Sequence, residues 1–162
     1  MICTIAEFVT TWQQESAITA RVLAALTDAS LAQRVSPQNR TLGELAWHIT
    51  TGVLEMPRRT GLEVTGPEHT APCPTSAKAI AATYDEAARS LLAAVGTKWT
   101  DATLKVEDDM YGERWTRAAT LTALIVHEIH HRGQATVLMR KAGLVVPSIY
   151  GPNREETAAM AR

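Results

Sequence analysis

The sequence predicts an all-α protein, a four-helix bundle built as a single domain over residues 1–162. Three observations carry this expectation. Apolar residues recur at three-and-four spacing in four long segments, helix caps and breakers fall between those segments, and one Phe stands among many Ala and Leu. Such a composition favours packed helices over a β-sandwich.

The first helix is expected from about Thr4 to Thr27, with Ile5, Phe8, Val9, Trp12, Thr19, Val22, Leu23 and Leu26 on one buried face. Ser36, Pro37, Gln38 and Asn39 interrupt the pattern. Thr41 to Glu44 (TLGE) then reads as a capping box that opens the second helix, whose core stripe is Leu42, Leu45, Ile49, Val53 and Met56. Pro57 and Gly61 mark where it falters. From Gly61 to Thr75 the run of Gly and Pro suits neither helix nor central strand, so a connecting loop is expected. The third helix, about Ser76 to Val95, presents Ile80, Tyr84, Ala87, Leu91 and Val95 and is expected to stop at Gly96. Trp99 to Trp115 reads as polar and irregular. Thr116 is a suitable N-cap for a fourth helix that continues to Lys141, with Gly143 and Pro147 beyond it.

At 162 residues the chain is long enough to bury roughly two-thirds of its unfolded surface. With 16 basic and 17 acidic residues it carries no broad positive footprint, so neither nucleic acid nor an anionic membrane is an expected partner. Cys3 and Cys73 form no CxxC motif, which points away from a cysteine zinc site or disulfide framework and towards a reducing compartment. The N-terminus lacks the basic start and apolar run of a signal peptide, and no apolar stretch reaches the ~20 residues that span a bilayer. A cytoplasmic location is the expectation.

The fourth helix carries the chemistry. On a helical wheel, Leu121, Leu124, Ile125, Ala135 and Met139 form one apolar arc, and Val126, Ile129 and Val137 form another. Between them runs a polar stripe without Lys, Asp or Glu: Thr120, Ala123, His127, His130, His131 and Gln134. An uncharged polar stripe suits an internal cavity better than a solvated face. Residues four apart stand roughly 6 Å from one another, so His127 and His131 can aim at one ion, whose nitrogen ligands lie at about 2.0–2.1 Å if it is zinc. A second helix must then supply another ligand, and His48, on the border of the apolar stripe, is its single histidine. His69, in the Gly/Pro loop, is a weaker candidate, and His130 projects about 100° away from His131. An HxxxH pair also recurs by chance, and a histidine beside an apolar stripe is commonly a hydrogen-bonded core residue. Spacing alone therefore leaves both readings open.

Glu128 and Arg132 are four apart on the apolar side and read as an ion pair at the rim of the core, with Glu128 a secondary catalytic candidate. Glu44 and Glu55 lie near His48 and read as surface carboxylates, with orientation of His48 the alternative.

The string HEIHHRGQ (His127 to Gln134), preceded by LGELAWHI (Leu42 to Ile49) and followed by LMRKAG and IYGP, resembles the DinB family over nearly the whole chain. The resemblance rests on HxxxHRGQ together with the upstream histidine. It implies a four-helix bundle with one divalent metal, zinc, nickel or iron, held between the second and fourth helices by His48, His127 and His131. It also implies a homodimer, and it brings in thiol-dependent transferases and isomerases that use bacillithiol or mycothiol.

Three protein ligands leave a coordination position open for water or a small-molecule substrate, as in catalytic sites. A thiol-dependent S-transferase using a low-molecular-weight thiol is the leading expectation, and a hydrolase acting through metal-activated water is the alternative. A metal-binding sensor without catalysis is the reading from another class. His127, Glu128 and His131 also spell HExxH, with Glu155 or Glu156 as conceivable downstream ligands, but the strands that accompany such a protease helix are missing upstream. The segments around Cys73 and Trp115 are the expected lining of the pocket.

Overall fold

Capping chemistry sets where each helix begins. In the computed structural model of the chain, which describes residues 2–161, α1 (Ile5–Ala24) opens at Thr4, whose hydroxyl accepts from the Glu7 amide while the Glu7 carboxylate accepts from the Thr4 amide. The same reciprocal pair, Thr41 and Glu44, opens α2 (Leu42–Arg59). Ser76 and Thr116 cap α3 (Ala77–Lys98) and α4 (Arg117–Lys141) through their hydroxyls. Each cap satisfies an amide that has no partner inside its helix, a contribution of about 1 kcal/mol.

Two of the ends are made by glycine. Gly61 and Gly143 adopt φ of 74° and 77°. At both, the next residue's amide bonds back across the turn, Leu62 to Pro57 O at 3.2 Å and Leu144 to Met139 O at 2.9 Å. This Schellman geometry needs a left-handed residue that glycine alone adopts without steric cost. Pro57 sits in the last turn of α2, so the helix ends within three residues of it instead of breaking there.

The four long helices pack as a ring in the order α1, α3, α2, α4. Helices α1 and α2, consecutive in sequence, therefore face one another across a diagonal, and α2 lies directly against α4. The core holds the stripes expected on each helix: Phe8, Trp12, Val22 and Leu23 from α1, Leu42, Leu45, Ile49 and Val53 from α2, Ile80, Tyr84, Leu91 and Val95 from α3, and Leu121, Leu124 and Met139 from α4. Among the described residues no helix is long and apolar enough to cross a membrane.

Four features differ from the expectation. Helix α3 runs through Gly96 to Lys98, because Gly96 is not in the left-handed region and the stop comes from buried Trp99, which lies under the Arg117 guanidinium. The segment read as irregular holds a 3-10 turn, Asp101–Lys105, and an antiparallel hairpin of β1 (Glu107–Met110) and β2 (Glu113–Thr116). Its two-residue turn, Tyr111 and Gly112, has φ of 60° and 88°, the positive pair that a tight hairpin demands. A short exposed helix, α5 (Arg154–Met160), follows the bundle. Finally, the second apolar arc of α4 is divided: Val126 and Val137 are 59% and 57% exposed, whereas Ile129 packs against the core.

Candidate metal centre

Because α2 and α4 are neighbours in the ring, His48 meets His127 and His131 between them. The ligand-capable atoms of the three rings all lie within 4.8 Å of one another. His48 Nε2 and His131 Nε2 stand 3.2 Å apart. Two nitrogens bound at about 2.0–2.1 Å to one ion, at tetrahedral or right angles, lie roughly 2.9–3.4 Å apart, so this pair already has the spacing of two ligands of a single cation. A three-histidine site of this kind could hold a metal ion.

Protonation state fits the same purpose. Burial pushes the His48 imidazole down to about 4, with the charges of Arg40, His131 and His127 adding to the effect. Burial also lowers His127 and His131, helped for His127 by the other two histidines of its helix, His131 and His130. All three rings are thus neutral near pH 7 and offer lone pairs, which is the form a cation requires. For His131 the tautomer is set as well. Its Nδ1 lies 2.8 Å from Gln134 Oε1, which can only accept, so Nδ1 carries the hydrogen and Nε2 is left bare towards His48. The Gln134 amide nitrogen in turn reaches His130 Nε2 at 3.1 Å, which makes His130 a neighbour of the cluster and not a member of it.

A residue not foreseen as part of the site makes room for it. Gly52 lies on α2 one turn after His48, and a Cβ at that position would stand 3.2 Å from His127 Cε1. The imidazole occupies the space that any side chain would fill. A glycine interrupting an apolar helix four residues after a candidate ligand was the signal for this in the sequence.

Other residues take other places. Glu128, the secondary catalytic candidate, points away from the histidines into the core, 2% exposed, where Thr19 and Tyr84 donate to its Oε1 at 2.7 and 2.9 Å. Desolvation raises its carboxyl to about 7, against the hydrogen bonds from Thr19 and Tyr84, and Oε2 has no hydrogen-bond partner among the described residues. The expected Glu128–Arg132 ion pair is replaced by a relay: Arg132 donates to Thr19 Oγ1 at 3.0 Å and pairs with Glu15 at 2.5 Å, also meeting the Tyr150 hydroxyl. Glu44 serves the α2 cap, and Glu55 pairs with Arg59 at 3.2 Å. Glu155 and Glu156 are held by Arg140 and Ser148, and His69 lies outside the cluster.

A groove of about 410 Å³ opens on one side of the cluster, with His131 and Gln134 in its wall. Its remaining lining comes from the loop before α2 (Val35, Asn39, Arg40), from Leu45, and from Val137 and Leu138. Neither Cys73 nor Trp115 contributes, contrary to expectation. Cys73 instead packs against the start of α2, its thiol 3.4 Å from Gly43 O, and Trp115 bonds Glu113 on the hairpin.

Known proteins share this architecture. The profile of the DinB family matches residues 1–162. The chain is 42% identical over 158 residues to the protein YrdA of Bacillus subtilis, strain 168, covering 98% of this chain and 95% of that one. It is also 42% identical to a DinB-like protein from Bacillus cereus whose crystal structure superposes with a TM-score of 0.89, over 93% of this chain and all of that one. A DinB-like protein from Bacillus subtilis, YjoA, shares the fold at 21% identity, with a TM-score of 0.70 over 88% of this chain and 96% of its own. On the match of its whole length and on these relatives, the chain belongs to the DinB family.

Proposed function

We propose that this protein is a metal-dependent S-transferase in which His48, His127 and His131 hold one divalent cation, zinc, nickel or iron, and a low-molecular-weight thiol adds to a small electrophile. The observation that carries the reading is the convergence of three neutral imidazoles beside an open groove, with no fourth protein ligand among the described residues. When bound, the cation lowers the pKa of a thiol or water presented at its open position and so supplies a nucleophile near neutral pH.

The chain does the rest. Gln134 holds His131 in one tautomer, Gly52 leaves His127 its space, and Val137 and Leu138 with Leu45 give the groove apolar wall. In the transfer, the sulfur forms a bond to carbon while a carbon–halogen or epoxide carbon–oxygen bond breaks. The thiol proton goes to solvent with the halide, or ends on the opened epoxide oxygen. No protein nucleophile is needed, and Glu128 has no access to the reacting atoms.

The test is elemental analysis of the purified protein followed by a paired assay. One divalent ion per chain is expected, and His48→Ala or His127→Ala should lose it; full occupancy in either variant overturns the ligand set. The metal-loaded protein should consume a monohalogenated or epoxide substrate only when thiol is added. Consumption without thiol would favour hydrolysis by activated water, and stoichiometric metal with no turnover at all would favour a sensor.

The assembly we propose is a cytoplasmic homodimer. Val126, Gly133 and Val137 are exposed along one side of α4, with half-buried Ile129 between them, and this apolar stripe supports pairing of two copies.

A further inference from the structure

We infer that the groove beside the histidine cluster selects ligands that carry an anionic group, a carboxylate in the simplest case, and that the Arg40 side chain is its anchor. The inference deepens the proposed function and rests on its premise that a cation sits at the three histidines.

The reasoning is electrostatic. Three neutral imidazoles leave a divalent ion its full charge, unlike sites in which a carboxylate or thiolate ligand offsets part of it. Arg40 adds a further permanent positive charge. Its guanidinium is close enough that its field reaches all three histidines, and it lines the same groove as His131. No acidic residue lines that groove, and Arg40 has no ion-pair partner among the described residues. Glu55, the carboxylate whose field reaches His48 and His127, is engaged by Arg59. One end of the groove thus gathers positive charge, and the two carboxylates whose fields reach it, Glu44 at Arg40 and Glu55 at His48 and His127, both lie outside its lining.

Placement of Arg40 explains why it stays there. It immediately precedes Thr41, the N-cap of α2, and the Glu44 carboxylate, which feels the Arg40 charge, is hydrogen-bonded to the Thr41 amide instead of pairing with the guanidinium. Asn39 and Gln134 add neutral hydrogen-bonding groups, while Val35 and Leu138 supply apolar wall. The matching ligand has a donor atom for the ion at one end, a short uncharged spacer, and an anion at the other end for the guanidinium. Such pairing is charge-assisted and directional.

Two thiols of equal length separate the contributions: 3-mercaptopropionate and its neutral amide, 3-mercaptopropanamide. Each is titrated into cobalt(II)-loaded protein, and binding is followed by the sulfur-to-cobalt charge-transfer absorption, which needs no turnover. The carboxylate should bind about tenfold more tightly than the amide, and Arg40→Gln, with its cobalt content confirmed, should reduce that preference to within about twofold. Adding salt should weaken the preference in the wild type. Equal binding of both thiols by the wild type would overturn the anionic-ligand inference and leave the thiol reading standing. A preference that survives in Arg40→Gln would overturn the assignment to Arg40. Failure of both thiols to perturb the cobalt spectrum would remove the open-position reading itself, and this inference with it.

Discussion

A glycine and a glutamate show how much of the site is decided away from the ligands. Gly52 costs α2 about 1 kcal/mol of helix propensity relative to alanine, and its place beside His127 is what offsets that cost. Gly52→Val should therefore fold yet fail to retain metal, measured as ion content after dialysis; a stoichiometric ion in this variant would mean that the ring has other room. Glu128 makes a different prediction. Its carboxyl sits at about 7 in the folded protein against an ordinary 4.5, so between those values the folded state keeps a proton that the unfolded state has released. Its contribution to stability is thus fully present below about 4.5 and is lost as pH rises through about 7. In Glu128→Gln that loss disappears. The variant should gain on the wild type in chemical denaturation as pH rises from about 5 to about 8, with its metal retained. The histidines were legible in the sequence because spacing and an uncharged stripe expose them. Arg40 was not, because it sits in a loop, and Gly52 left only the indirect mark of a glycine inside an apolar helix one turn after His48.

At the scale of elements, periodicity and caps told nearly everything about α1 to α4, and composition misled where glycine has two uses. Gly96 reads as a helix stop, yet it lies inside α3 with nothing within 4 Å of an added Cβ. Gly96→Ala should raise stability by roughly 0.5–1 kcal/mol, read as a higher thermal midpoint. A lower midpoint would restore the capping role that the sequence suggested. The hairpin escaped because its strands are four residues each and largely polar, so alternation gives no signal. Its one mark was Tyr111–Gly112, where positive φ is tolerated by glycine and imposed on tyrosine, whose ring is covered by the Arg59 guanidinium at 4.2 Å.

For the whole molecule, fold class followed from counting amphipathic segments, whereas ring order did not, since each loop specifies a reach and not a side of the bundle. That order is what sets α2 against α4 and brings His48 to the pair. The exposed stripe on α4 belongs to this scale too. The wheel shows it only as a second apolar arc, and the packed bundle shows that Val126 and Val137 on it stay exposed among the described residues. Val126→Asp should shift the particle from dimer to monomer in light scattering at micromolar concentration. A monomeric wild type would remove the dimer proposal.

His48 and His131 are separated by 83 residues, and between them lie more than half of α2, all of α3 and about half of α4. A cation shared by these two side chains fastens one half of the chain to the other, much as a covalent cross-link does. Closing a loop of that span removes about 4.5 kcal/mol of conformational freedom from the unfolded chain. That is a large part of what holds a domain of this size together, commonly about 5–15 kcal/mol. The abundance of the folded protein, and not only its chemistry, would then track how much metal its surroundings supply.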